Sequence, residues 1–305
     1  MRKSAAIIVN PISGHGIALK KAREARRFLD KAGLDVALFS TEATGHGRTL
    51  ALENAALVDV LISVGGDGTV NEVANGVMDA GQNNTPILII PTGTANVVFR
   101  ELGLPKDLRS QVKLAFDSSV RLLDMGRAGN RLFIMCAGAG FDAAIVDRIS
   151  KIRTQSGITM RNYIIATVQN AFKYRFPMMR ITVDGEVVDE DSTFTVIGNM
   201  PRYGGLFRLF EDASPDDGIL DVCCFNGKSV WALGRYAWHT FRQNLGAFSG
   251  VEFYRGKEIK LEADERVLVQ VDGDRGGELP MVFTLLPGAV SFCVEYPDSD
   301  REGRV

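Results

Sequence analysis

The sequence predicts an α/β domain built on a parallel sheet, followed by a domain of the antiparallel β-sandwich type. Three observations carry this reading. Up to about residue 125, short apolar runs alternate with amphipathic helical stretches, the pattern of βα units. Beyond it the chain is mostly short strands bounded by turn residues. Within the first part, three of the apolar runs end in turns of small, hydrogen-bonding residues, and parallel sheets bind ligands beyond the carboxyl ends of their strands. The expected division is 1–125, 126–296 and a charged tail, 297–305.

The first strand is Ala5-Ala6-Ile7-Ile8-Val9. It ends in Asn10-Pro11-Ile12-Ser13-Gly14-His15-Gly16, and a helix follows with Leu19, Ala22, Ala25, Phe28, Leu29 and Ala32 on one face. A second buried run, Val58 to Val64, leads into Gly65-Gly66-Asp67-Gly68-Thr69-Val70-Asn71-Glu72, after which Val70, Val73, Ala74, Val77 and Met78 recur at helical spacing. Three glycines in four positions let the backbone approach a ligand closely. The open N–H groups of the next helix favour an anion. Asp67 sets a carboxylate inside that anion site, where it would be repelled by phosphate unless a cation lay between them. A polyphosphate with Mg²⁺ satisfies both, since hard cations take oxygen ligands. The third run, Ile87-Leu88-Ile89-Ile90, ends in Pro91-Thr92-Gly93-Thr94-Ala95-Asn96 and enters Val97 to Leu102.

In the second part, Arg131 to Cys136, Arg180 to Val183, Phe194 to Ile197, Ile219 to Cys223, Val267 to Val271 and Met281 to Leu285 read as strands. Asp184-Gly185 marks a hairpin. Helical insertions are expected near 158–175 and 228–247. The first, with basic residues at both ends of an apolar stretch, suits an acyl-chain channel, a membrane interface or plain core. The second carries Trp231, Tyr236, Trp238, Phe241 and Phe248, equally open to a packing role. Gly138-Ala139-Gly140-Phe141-Asp142-Ala143 imitates a dinucleotide fingerprint but lacks a βαβ setting. Two acidic turns stand out. Asp272-Gly273-Asp274 follows a strand and offers a proton acceptor, or else an ordinary hairpin turn. Asp212 to Asp221, with Asp216-Asp217-Gly218, offers oxygen ligands for a hard cation, or else an Asx turn.

Composition excludes several classes. A chain of 305 residues, 46% hydrophobic with net charge −2, can bury a substantial core and is no electrostatic nucleic-acid binder. Cys136, Cys223, Cys224 and Cys293 show neither metal spacing nor a disulfide framework, so a reducing cytoplasm is expected. No apolar run reaches the roughly 18–20 residues that span a bilayer, and no signal peptide is expected. Neither a P-loop nor the protein-kinase signature set is present.

Taken in order, Asn-Pro-x-Ser-Gly, Gly-Gly-Asp-Gly-Thr-x-Asn-Glu and Pro-x-Gly-Thr-x-Asn resemble the diacylglycerol kinase catalytic domain, shared with bacterial lipid kinases, sphingosine kinases and ceramide kinases. The likeness runs to about residue 290. It implies an ATP- and Mg²⁺-dependent lipid kinase that phosphorylates diacylglycerol or a related lipid alcohol, with the active site in the cleft between two domains. It implies peripheral membrane contact and leaves room for a homodimer. By resemblance, Asn10, Ser13, Gly14, Thr41, Gly65, Gly66, Asp67, Gly68, Thr69, Val70, Asn71, Thr94 and Asn96 contact the nucleotide, although Thr41 could equally cap a helix. Asp67 acts through Mg²⁺. Asp274 stands where relatives carry a Glu base, one methylene shorter, and Asp272 is the fallback. A structural Mg²⁺ is implied at Ser214, Asp217 and Ile219. Two alternatives remain at this stage: an NAD kinase-like enzyme, which shares Gly-Gly-Asp-Gly-Thr, and a catalytically weak regulator, suggested by Asp274 and by Val97 where relatives carry Asp.

Overall fold

The computed structural model describes residues 2–152, 174–204, 207–242 and 244–296. The helix expected near 158–175 and the tail 297–305 lie outside the described residues, except for the last two positions of the former. The chain forms two compact units, one of Met1–Leu123 with the segment from Gly288 on, the other of Asp124–Pro287.

In the first unit β1 (Ser4–Val9), β2 (Asp35–Ser40), β3 (Val60–Gly65) and β4 (Ile87–Pro91) form a parallel sheet in the order β2-β1-β3-β4. β3 is buried along its whole length, and β1 and β4 at all but one end residue, so these strands read as continuous apolar runs rather than alternating ones. α1 (Ile17–Lys31) buries Ala18, Ala22, Ala25 and Leu29, a stripe at helical spacing. α2 (His46–Asn54) packs on α3 (Asp67–Asp79), and Gly76 sets their approach: a Cβ there would lie 2.3 Å from the Arg48 carbonyl oxygen. Two short helices follow, α4 (Val97–Glu101) and α5 (Leu108–Lys113), the latter capped by Asp107.

β5 (Ser119–Ala128) runs from the first unit into the second, where β6 (Arg131–Phe133), β7 (Cys136–Ala139) and α6 (Phe141–Ile152) follow. β8 (Met179–Val183), β9 (Glu186–Ser192), β10 (Phe194–Gly198), the small pair β11 (Arg202–Tyr203) and β12 (Phe207–Arg208), and β13 (Leu220–Phe225) come next. After α7 (Val230–Phe241) come β14 (Val251–Gly256), β15 (Glu258–Glu262), β16 (Leu268–Val271), β17 (Asp274–Glu278) and β18 (Met281–Val294). One sheet runs β14-β13-β10-β7-β16-β17, antiparallel throughout. A second contains β9, β8, β15 and the first half of β18. Side chains of both sheets share one core, with Ala137, Ile197, Val222 and Val269 from the first and Ile181, Ile259, Leu261 and Phe283 from the second. This is a sandwich. The end of β18 belongs to the first unit, where Phe292 pairs in parallel with Ile87 of β4.

One expectation needs adjustment. The run Arg131 to Cys136 is not one strand: it breaks after Phe133 and resumes at Cys136, because the amides of Ile134, Met135 and Cys136 turn onto the Asp272 carboxylate. The second helical insertion is α7 followed by a short 3-10 turn at Leu245–Ala247. The dinucleotide-like glycines fall at the end of β7, whose neighbours are antiparallel, so no βαβ unit surrounds them. All four cysteines are buried and free.

Candidate active site

The three small-residue turns of the first unit converge through backbone contacts. Thr92 N–H donates to the Gly65 carbonyl at 2.8 Å, and Thr92 Oγ1 donates to Ser13 Oγ at 2.8 Å. Gly14 sits at φ 60° against Thr92; a Cβ would lie 2.6 Å from the Thr92 carbonyl oxygen. Gly66 and Gly93 touch backbone to backbone, since a Cβ on Gly93 would stand 2.6 Å from Gly66 Cα. Glycine is therefore demanded here by close approach. Asn10 Oδ1 accepts from Ile12 N–H at 3.3 Å and closes the first turn, and Lys21 Nζ donates to the Pro91 carbonyl at 3.0 Å.

Asp67 opens α3, one turn from the carboxyl end of β3. Its Oδ1 accepts from Val98 N–H at 3.3 Å, so the carboxylate of one helix start also meets the start of α4. Partial burial raises its pKa from the ordinary carboxylate value, against backbone N–H donation from Val98, Val97 and Asn96. Thr69 and Val70 donate their N–H groups to the Gly66 carbonyl, and both side chains are buried, Thr69 against Gly65. Gly68 and Thr94 are exposed. Asn71 accepts from Asn75 Nδ2 through both its carbonyl and Oδ1. Asn96, in the left-handed region at φ 48°, uses both ends of its amide on Gly93. Thr41 is buried beyond β2, with its N–H on the Val9 carbonyl.

Glu72 is the residue the sequence reading left without a role. Its carboxylate accepts from Gly45 N–H at 2.7 Å and Gly47 N–H at 2.9 Å, capping α2 from α3. No side chain of the local segment caps α2. The only sequence signal was its place at the end of the glycine motif.

In the second unit, Asp272 and Gly273 form the two central residues of the β16–β17 hairpin, at φ 47° and 82°. The Asp272 carboxylate accepts three backbone N–H groups, from Ile134 (2.8 Å), Met135 (3.0 Å) and Cys136 (2.9 Å). Asp274 is exposed at the first position of β17, opposite Val271. The turn is held from below. Gln270 Oε1 accepts from Gly273 N–H at 2.8 Å, and Gln270 Nε2 donates to Asp142 Oδ2 at 3.1 Å. Tyr203 OH donates to the same oxygen at 2.7 Å. Asp142 is buried and its Oδ1 has no hydrogen-bond partner among the described residues. Burial pushes its pKa up to about 6 despite these donors.

That shift has a consequence for stability. A carboxyl whose folded pKa lies above its unfolded value of 3.8 binds more protons folded than unfolded between those two values. The folded state therefore loses stability as pH rises from about 4 to 6, and the penalty is complete above that. At most it reaches roughly 3 kcal/mol, from 1.36 kcal/mol per pKa unit. Asp142→Asn keeps the acceptor for Tyr203 and Gln270 without the charge. The free energy of urea unfolding of this variant is expected to gain on the parent between pH 4 and 7. A difference that does not change with pH would refute the buried charge.

At the other acidic turn, Asp217 Oδ1 accepts from Ile219 N–H at 3.0 Å, and Asp217 Oδ2 accepts from Arg255 at 2.6 Å. Asp217 N–H approaches the Ser214 carbonyl at 3.4 Å, and Gly218 N–H donates to Asp124 Oδ2 at 2.8 Å. Arg255 also bonds Asp221 at 3.0 Å. The oxygen donors at Ser214, Asp217 and Ile219 suit a hard cation in kind, and in this arrangement the Arg255 guanidinium is shared between Asp217 and Asp221. Among the described residues, no three His, Cys, Asp or Glu side chains group as a metal site, and no helix is long and apolar enough to cross a membrane.

A glycine-lined turn set at the carboxyl ends of a parallel sheet, where bare backbone and helix starts meet anions, suits an enzyme that handles phosphate groups. The chain belongs to the diacylglycerol kinase family: residues 4–128 match the diacylglycerol kinase catalytic domain and residues 136–294 the YegS C-terminal NAD kinase beta sandwich-like domain. It is 31% identical to the diacylglycerol kinase of Staphylococcus haemolyticus over 296 residues, 96% of this chain and 88% of the relative. It is also 31% identical to that of Staphylococcus saprophyticus over 92% of both chains. A crystal structure of a diacylglycerol kinase from Bacillus anthracis superposes with TM-score 0.76 at 25% identity, covering 98% of this chain and 99% of that one.

Proposed function

We propose that this lipid kinase transfers the γ-phosphate of ATP to the hydroxyl of diacylglycerol or a closely related lipid alcohol carried in a bilayer, with which it makes peripheral contact. The observation that carries the donor half is the meeting of three turns around Gly14, Gly66 and Gly93, where bare backbone is available to phosphates. The names of the relatives support the acceptor half. Phosphoryl transfer needs positioning and charge neutralisation more than covalent help. Asn10, Ser13, Gly14, Thr41, Thr94 and the 65–71 turn position the nucleotide, with N–H groups from Gly66 to Gly68, since those of Thr69 and Val70 are committed within the helix start. Asn96 holds its turn through Gly93 and keeps a second N–H and lone pair of its amide for the nucleotide. Mg²⁺ bound with the nucleotide would neutralise phosphate charge beside Asp67. Asp274 accepts the proton of the attacking hydroxyl; the oxygen forms a bond to Pγ as the Pγ–O bond to ADP breaks.

The test is transfer from ATP labelled with 32P at the γ-phosphate, with Mg²⁺, to a panel of lipid alcohols in mixed micelles, with NAD as a soluble acceptor. Labelled phosphatidic acid is expected. Label in NADP would move the chain to a soluble substrate, and no transfer with intact ATP binding would make it a regulator.

A further inference from the structure

We propose that the outward face of α7 is the docking surface by which this protein sits on an anionic bilayer. Trp231 and Trp238 lie seven residues apart on this helix and are 84% and 59% exposed. Arg235 and Arg242 extend the same stripe, with the small Gly234 and Ala237 exposed between them. The opposite side is anchored: Tyr236 is buried, donates to the Gly250 carbonyl at 3.2 Å and packs edge-on to Phe225 and Phe248. Ser229 caps the helix start. The helix therefore cannot roll its tryptophans inward without giving up this packing. The Arg235 guanidinium lies 4.4 Å from the Phe248 ring centroid and that of Arg242 6.0 Å from Trp238.

The charge pattern selects the occupant. Between Asp221 and Glu252 the chain has no acidic residue; Lys228, ahead of the helix, is paired with Asp191 at 3.2 Å, and Arg235 and Arg242 are the cations of the face, in a protein of net charge −2. Indole rings favour the boundary between headgroups and acyl chains, and arginines snorkel to the phosphates above it. An aromatic and cationic face on a helix that carries no acidic residue matches an anionic lipid surface better than a second copy of the same cationic face. The inference rests on the bilayer-borne acceptor proposed above, and its test is independent of turnover.

The two tryptophans of this face are the only ones in the chain, so tryptophan fluorescence, excited beyond the tyrosine band, reports on it alone. The full chain is titrated with phosphatidylcholine vesicles with and without an equal part of phosphatidylglycerol, containing no ATP and no acceptor lipid. Emission is expected to move to shorter wavelength with the anionic vesicles and to be quenched by acyl-brominated lipid. Vesicle affinity is expected to fall about 30-fold in R235Q/R242Q, and W231Q/W238Q, substituted at exposed positions, should no longer sediment with vesicles while keeping its circular dichroism. Sedimentation with unmoved emission would overturn the proposal, as would no binding at all. A shift that follows protein concentration without vesicles would assign the face to a second copy instead.

Discussion

Asp67→Asn is expected to lower turnover by about 10²–10³-fold, the cost of losing one charge-positioning group in a preorganised site, while the unfolding midpoint stays close to that of the parent. The substitution separates two jobs that the structure combines. Asp67 Oδ1 accepts from Val98 N–H and so fixes the start of α4 relative to α3. Asn retains an oxygen at that position and can keep this bond. What it cannot do is carry the negative charge that a phosphate-bound cation would need beside it. Asp67→Ala removes both, and should add a loss of about 1 kcal/mol in stability, the usual cost of a missing helix cap. Steady-state kinetics at several Mg²⁺ concentrations, with urea unfolding of both variants, checks this. Near-parental turnover in the Asn variant would make Asp67 a capping residue only. A similar loss of turnover in both variants, with stability lost in Ala alone, would place the catalytic effect on the charge.

The legible parts of this protein are those whose cause is local. Parallel strands buried on both faces announce themselves as apolar runs, as β1, β3 and β4 do. Glycines forced by close backbone approach, such as Gly14, Gly66 and Gly93, cluster where they are needed and point to the phosphate-facing turns. The Asp-Gly hairpins follow from the φ > 0 that both central residues must adopt, at 184–185 and again at 272–273. The illegible parts are long-range hydrogen bonds. Nothing near Ile134 to Cys136 says that three amides will leave the strand for a carboxylate more than a hundred residues away. Nothing near Gly45 names Glu72 as the cap of α2. The chain from Tyr203 through Asp142 and Gln270 to Gly273 joins three distant segments, and only the fold brings them together. Trp231 and Trp238 were visible as aromatic residues, but their exposure depends on which side of α7 Tyr236 anchors.

The same contrast decides between the two aspartates of the β16–β17 hairpin. Asp184, in the other Asp-Gly turn, uses its carboxylate to accept from Lys257 N–H and Glu258 N–H, both at 2.9 Å, and so staples its hairpin to the next strand. Asp272 does the same with three amides. The Asp272 carboxylate is committed to three backbone donors, whereas Asp274 is exposed at the head of β17. We therefore expect Asp274→Asn to lower turnover by about 10²–10⁴-fold, the usual worth of a general base, with no change in the unfolding midpoint. Asp274→Glu should be tolerated or raise the rate. Asp272→Ala should instead cost about 2–4 kcal/mol of stability, since it strands buried donors and forces Ala into the left-handed region. Asp272→Asn, which adopts that region readily and keeps one acceptor, should be milder in stability and retain turnover. The measurement is single-turnover transfer beside urea unfolding for all four variants. A folded Asp272→Asn without activity, next to an active Asp274→Asn, would assign the base to Asp272 and leave its three amides as the device that orients it.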